Sequence, residues 1–195
     1  MSGIDSLTHP LVRAGLGWLS RPRQPIMDGS LRLDGLHTPV EVLRDRWGVP
    51  HIYADNLHDL FFAQGFVHAQ DRLWQMDFNR RLVAGRVAEA LGAVALPLDR
   101  WMRTLTMRRV ANYEVNLLDS EARASLEAYA AGINAFIAQG RLPIELTLLR
   151  YKPEPWVMAD TLAWIKMMSW TLSVNWEAEI LRAQLVARPG RGARR

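Results

Sequence analysis

The chain has 195 residues, 49% of them hydrophobic, with 24 Lys and Arg against 20 Asp and Glu, a net charge of +4 and no cysteine. That length and apolar content suit one or two globular domains and exclude a disordered chain, while the missing cysteine excludes a disulfide framework, a thiolate metal site and a cysteine nucleophile. Arg188, Arg191, Arg194 and Arg195 crowd the end of the chain among Pro189, Gly190 and Gly192, so the positive excess forms no folded basic stripe and no nucleic-acid partner is expected.

Residues 1–29 read as a leader with a short helix and an extended stretch, interrupted by Pro10, Pro22 and Pro25. Its apolar run from Leu11 to Leu19 is broken by Arg13 and followed by no small-residue cleavage site, so no signal peptide is expected. From about residue 30, Leu31 and Leu33, then Val40 and Val42, then Ile52 and Ala54 alternate with polar neighbours around Asp34-Gly35 and Asp45 to Gly48. That pattern predicts a three-stranded antiparallel β-meander over 30–54.

The period then changes. Phe62, Phe66, Ala69, Leu73 and Met76 recur every three or four residues and predict a long helix from about Asp59 to Val83, with Gln64, His68, Asp71 and Gln75 on its polar face. A short helix over Val87 to Leu91 is stopped by Gly92. Asp119 or Ser120 caps a further helix whose buried face is Ala122, Leu126, Tyr129, Ile133 and Phe136 and which Gly140 closes. Pro153 and Pro155 break the chain, and Val157 to about Val186 reads as one long helix, apolar almost all round in its first half. Its most apolar segment, Val157 to Trp176, contains Asp160 and Lys166, each of which would cost about 2.5 to 3.5 kcal/mol near mid-bilayer, so a buried helix is expected rather than a membrane span. Eight Trp and eight Met favour broad packing surfaces, and the elements leave more apolar surface than they can cover alone.

His51, His68 and Asp71 invite a metal or acid/base reading, with His68 and Asp71 at i,i+3 on one helix face. The structural alternative is favoured: Asp71 and Arg72 tie the helix to the neighbouring strands through hydrogen bonds. Trp164, Met167, Met168 and Trp170 could form a core, the commoner outcome at helical spacing, or a ligand pocket, and the sequence does not separate the two.

The run Leu43-Arg44-Asp45-Arg46-Trp47-Gly48-Val49-Pro50-His51-Ile52-Tyr53-Ala54 resembles the opening strand motif of the penicillin acylases, a family of N-terminal nucleophile (Ntn) hydrolases. Five further blocks follow in family order: His68-Ala69-Gln70-Asp71-Arg72-Leu73-Trp74-Gln75-Met76, Gly85-Arg86-Val87-Ala88-Glu89-Ala90-Leu91-Gly92, Tyr129-Ala130-Ala131-Gly132-Ile133-Asn134-Ala135-Phe136, Pro153-Glu154-Pro155-Trp156 and Asn175-Trp176-Glu177-Ala178-Glu179-Ile180. The resemblance implies an α+β fold, the mostly helical α-chain portion of an αββα sandwich with a small antiparallel β-segment near the N-terminus. The family-like region spans 30–187, between the leader and a basic tail at 188–195.

It also implies a precursor that cuts itself into an α-chain and a β-chain, the β-chain beginning with the nucleophilic serine whose own amino group assists proton transfer. No position here matches that machinery, so no catalytic residue is expected in this chain. The resemblance places one carboxylate of a structural calcium site on Glu179, with Glu177 the near alternative and the other oxygen ligands on the β-chain. It also places part of the acyl-pocket wall at Ser169, Thr171, Leu172 and Ser173. Phenylacetyl-cleaving members carry Arg and Phe where this chain has Leu172 and Ser173, which leaves an aliphatic acyl group, as in acyl-homoserine-lactone acylases, equally open. The expected function is thus the α-part of an amidohydrolase acting on a small acylated amine, inactive without its β-chain. The alternative is a non-catalytic remnant or binding fragment, suggested by the abrupt change from helical patterning to the arginine-rich end.

Overall fold

The computed structural model describes residues 26, 28–173 and 175–187. Most of the expected leader and all of the expected basic tail lie outside these residues. Regular structure begins with β1, Glu41–Arg44, paired antiparallel with β2, Pro50–Tyr53, so that Val42 faces Ile52 and Leu43 faces His51. The turn between them is built by Asp45, whose carboxylate accepts the amides of Trp47 and Val49 at 2.8 and 2.9 Å, while Gly48 takes a φ of 78° that only glycine adopts freely.

The expected third strand through Leu31 and Leu33 is absent. The Asp34-Gly35 turn is present, but the chain after it spends its donors elsewhere: the amides of His37 and Thr38 bond the buried Asp59 carboxylate at 2.9 and 2.8 Å. Asp59 also receives the Thr38 hydroxyl and the Asn56 carboxamide. Burial works to raise its pKa, yet this shell of donors outweighs burial and holds the carboxyl well below the usual range.

Helix α1, Leu57–Ala84, starts at Asn56, whose side chain caps the Asp59 amide, and stops at Gly85 in the left-handed region. Its predicted apolar face is buried, with Phe62, Phe66, Ala69 and Leu73 each no more than 5% exposed. It crosses α5, Ser120–Ala138, and the two helices form the centre of the molecule. Phe66, Ala69 and Leu73 pack there with Ala130, Ile133, Phe136, Leu146 and Trp156. The α5 N-cap is Asp119, accepting from Ala122 N at 2.7 Å. Of the predicted α5 face, Ile133 and Phe136 are fully buried while Ala122, Leu126 and Tyr129 are half-buried.

Between these helices lie α2, Ala88–Leu91, a 3-10 turn at Ala93–Ala95, α3, Leu96–Leu105, and α4, Met107–Glu114. The last two, and the short α6, Ile144–Leu148, are not among the predicted elements. Asp99 of α3 reaches back to cap α2 through the amides of Val87 and Ala88 at 2.8 and 2.9 Å.

The predicted final helix is two helices, α7, Met158–Leu172, and α8, Trp176–Ala187. At the C-terminus of α7 the chain leaves helical geometry at Ser173 (φ −92°, ψ 71°), and the Ser173 hydroxyl bonds the Ser169 carbonyl at 2.8 Å, a back-bond that competes with helix continuation. The α7 helix does not bury its whole circumference. Ala163 and Met167 face a second core with Val83, Met102 and Ala111, whereas Ile165 and Leu172 are 54% and 75% exposed and α8 has no fully buried residue. Both charges in the apolar stretch have partners: Asp160 pairs with Arg108 and accepts Val157 N, and Lys166 lies 2.5 Å from Glu114. No helix among the described residues is long and apolar enough to cross a membrane.

A buried ionic network binds the C-terminal half of α1 to the segment before α7. Asp77 takes Arg80 and Arg81 at 2.5 and 2.9 Å; Arg80 also donates to the carbonyls of Glu154 and Pro155, and Arg81 reaches Glu89. Towards solvent, Arg86 bridges Glu89 and Glu154. Its hydrogen bonds hold the Glu154 carboxyl down to about 2 and Glu89 below its ordinary value. A carboxylate depressed in the fold stabilises fully above its unfolded pKa and ceases to do so as pH falls through the folded one. For Glu154 that window runs from 4.5 down to about 2. Urea unfolding across these pH values is expected to show falling stability, and Glu154→Gln to flatten that fall; an identical slope in the variant would remove Glu154 from the acid response.

Candidate functional site

Five of the six sequence blocks meet one another inside the chain. Arg44 of the first forms a two-pronged bond to Asp71 of the second at 2.8 and 2.9 Å and also donates to Gln70. His68 of the second lies 2.9 Å from the Tyr129 hydroxyl of the fourth. Arg86 and Glu89 of the third engage Arg81 and Glu154. The Asn134 carboxamide of the fourth pairs with both the amide and the carbonyl of Trp156 in the fifth, at 2.7 and 3.0 Å.

The sixth block behaves differently. Asn175, Glu177, Ala178, Glu179 and Ile180 are exposed, and only Trp176 packs, stacking on Trp170 at 5.4 Å and lying 6.2 Å from Trp101. Glu179 sits in the first turn of α8, its carboxylate 3.5 Å from Arg182 in an exposed pair. The residues expected on the pocket wall occupy the adjoining end of α7. Ser169, Thr171, Leu172 and Ser173 are all exposed, and the three hydroxyls are turned onto carbonyls of their own helix. The structure therefore gathers the wall residues at one exposed helix end, and Glu179 follows six residues after Ser173 in the first turn of α8.

Among the described residues, one trio of His, Asp and Glu side chains is close enough to share an ion: His37, His58 and Asp59. It is poorly suited to a metal. Both Asp59 oxygens already accept from His37 N, Thr38, Asn56 and the neighbouring His58 Nδ1, so a cation would have to displace donors that order the chain entry to α1. His37 stacks on His58 at 4.1 Å, completing a clamp.

His51, His68 and Asp71 do not form a metal or acid/base set. His51 approaches Asp45 at 3.7 Å, Asp71 belongs to Arg44, and His68 belongs to Tyr129. Burial lowers the His68 pKa against the raising influence of Asp71, and burial pushes the Tyr129 hydroxyl up to about 12. The expected tie between helix and strand is thus made by Asp71, whereas the Arg72 side chain makes no hydrogen bond or ion pair among the described residues. It lines instead a cavity of about 350 Å³ between α1, α5 and α7, a feature that periodicity alone gave no reason to expect.

A family model described as penicillin amidase matches residues 39–195. The chain is 46% identical over 153 residues to penicillin acylase 2 proenzyme of Pseudomonas sp. (strain SE83), covering 78% of this chain and 20% of that protein. It is 36% identical over 168 residues to the acyl-homoserine lactone acylase QuiP of Pseudomonas aeruginosa, covering 85% of this chain and again 20% of the relative. The chain therefore spans about a fifth of the length of these curated relatives. Among solved structures, a thermostable penicillin G acylase from Alcaligenes faecalis aligns with a TM-score of 0.64 and 32% identity, over 74% of this chain and 80% of the solved one, so the two chains are of similar size.

Proposed function

The chain belongs to the penicillin amidase family, an acylase and hydrolase family, and from that premise we propose that it is the α-chain part of an amidohydrolase that cleaves the linear amide C–N bond of a small acylated amine. The observation that carries this reading is the contrast between blocks: five are paired within the chain, while the sixth and the adjoining end of α7 are presented to the outside. Side chains exposed at a helix end, with their polar groups paired only within their own helix among the described residues, suit a site completed by a second polypeptide. The similar size of the solved A. faecalis chain supports the same reading, because the curated relatives are far longer.

In this proposal the nucleophile is the N-terminal serine of a β-chain, and the present residues contribute binding. Ser169, Thr171, Leu172 and Ser173 form part of the acyl-side wall. Leu172 exposes three quarters of its surface and offers a branched apolar contact beside the small Ser173, a lining suited to an aliphatic acyl group as well as to a phenylacetyl group. The acylated amine is accordingly of the kind that the names of the relatives indicate, a β-lactam side-chain amide or an acyl-homoserine lactone.

Calcium is the implied cation. Glu179 fits the part of a single donor: its carboxylate is exposed, its one ionic contact among the described residues is the 3.5 Å approach of Arg182, and a hard cation favours oxygen. Glu177, also exposed in the same turn, lies about 200° away around the helix and cannot share the same direction. When bound, the ion would clamp the start of α8 to oxygen ligands of the β-chain.

The test is complementation. This chain, co-expressed with the β-chain region of the Pseudomonas SE83 relative, is expected to hydrolyse acylated amines that neither part hydrolyses alone, and Glu179→Gln to lower calcium retained by the purified pair. Turnover by the purified chain alone would overturn the proposal. So would an inactive pair under conditions where the relative's own two regions assemble, and unchanged calcium content would remove Glu179 from the metal site.

A further inference from the structure

Helix α1 presents His68, Arg72, Gln75 and Asn79 at helical spacing along one side of the 350 Å³ cavity, and Trp156 and Trp164 line it from the segment before α7 and from α7 itself. Arg72 is the one residue within α1 whose backbone leaves helical geometry, with φ −140° and ψ 19°.

Arginines nearby are committed. Arg80, which also lines the cavity, is held by Asp77 and by the carbonyls of Glu154 and Pro155, with its guanidinium 5.4 Å from the Trp156 ring centroid. Arg44, Arg81, Arg86 and Arg108 each hold a carboxylate. Arg72 holds none among the described residues, and no carboxylate lines the cavity.

The cavity thus combines one unneutralised guanidinium, two carboxamides and indole surface. A guanidinium fork matches the two oxygens of a carboxylate, the carboxamides can donate to the same oxygens, and the indoles cover an apolar body. With a single uncompensated cation, the lining favours a monoanion over a dianion and rejects a cation. The volume lies at the lower end for small-molecule pockets and suits a ligand on the order of a dozen non-hydrogen atoms.

We infer that this cavity is a binding site for a monocarboxylic acid with an aromatic or branched apolar body, its carboxylate on Arg72 and its body against Trp156 and Trp164. The site uses none of the residues assigned to the acyl wall or to calcium, and it stands whether or not the proposed activity does.

The purified chain can be titrated with 4-phenylbutyrate by calorimetry and tryptophan fluorescence. Two controls accompany it: 4-phenylbutyramide, which lacks the charge, and butyrate, which lacks the ring. One saturable site is expected for the acid, with each control about tenfold weaker or worse. Arg72→Gln is expected to weaken the acid by about tenfold without changing the thermal melt, because the Arg72 side chain has no hydrogen-bond or ionic partner among the described residues, and Arg72→Lys to fall between. Equal binding of the amide, undiminished binding to the Gln variant, or no saturable binding would overturn the site. Tighter binding of a capped Leu-Asp-Leu peptide than of the free acid would overturn the assignment to a small acid, since the cavity would then be a seat for an acidic side chain of a polypeptide.

Discussion

Gly132→Ala is expected to destabilise the chain by about 3 kcal/mol or more, the upper range for forcing extra volume into a packed interior. A methyl group on Gly132 would sit 1.9 Å from the Phe62 carbonyl oxygen and 2.9 Å from the Phe66 amide nitrogen. Those are backbone atoms of α1, which no rotamer change can withdraw. The crossing is reciprocal, since a methyl on Gly65 would lie 2.0 Å from the Tyr129 carbonyl oxygen, so Gly65→Ala should cost a comparable amount. Both helices would have to separate, loosening the core of Phe66, Leu73, Ile133 and Phe136. Gly140→Ala is the control: it meets nothing within 4 Å but carries a φ of 70°, so its cost should be only the left-handed penalty, about 1 to 2 kcal/mol. Urea unfolding of the three variants measures this directly. Equal losses at Gly132 and Gly140 would show that the helices can part cheaply.

Asp77→Ala should be comparably damaging, by about 3 to 5 kcal/mol, through a different mechanism. Arg80 and Arg81 are 6% and 2% exposed, and removing their shared carboxylate leaves two buried guanidiniums with no compensating charge between them. Arg80 would keep the neutral carbonyls of Glu154 and Pro155 and a longer, 3.5 Å approach to Asp160, a carboxylate that Arg108 already holds, and Glu89 balances only one cation while also serving Arg86. Because this network joins α1, α2 and the segment leading into α7, the expected change is loss of cooperative unfolding in the C-terminal half as well as a lower midpoint. Arg182→Ala, which breaks the exposed pair with Glu179, should change stability by no more than about 0.5 kcal/mol. A similar effect at both sites would mean that water reaches the Asp77 cluster.

Much of the helical framework was legible because its signal is local. The apolar spacing through Phe62, Phe66, Ala69 and Leu73, the cap at Asp119 and the stops at Gly85 and Gly140 are each written within a few neighbouring residues. The errors fall where distant groups intervene. The segment with Leu31 and Leu33 has strand-like alternation, yet Asp59, more than twenty residues on, takes its neighbours' amides. The helix predicted through Val186 has continuous apolar patterning, which conceals the break at Ser173. Helices α3 and α4 are only ten and eight residues long, too short for their apolar spacing to repeat over many turns, and Asp99 and Met102 anchor them through contacts that only folding creates.

The candidate site divides in the same way. The six blocks could be read in order, as could the expectation that Asp71 ties α1 to the strands, because residue type and spacing suffice for both. The separation of those blocks into five that satisfy one another and one that faces outward was a tertiary result. So was the difference between the adjacent residues Asp71 and Arg72, one bound to Arg44 of β1 and the other lining a cavity, where the α1 backbone leaves helical geometry at Arg72. The sequence by itself determined the family and the principal helices, since these rest on residue identity and local periodicity. Which charges are buried together, how closely α1 and α5 approach, and which surface remains for a partner or ligand were decided only when segments far apart in the chain met, because burial and electrostatic pairing are properties of neighbours in space.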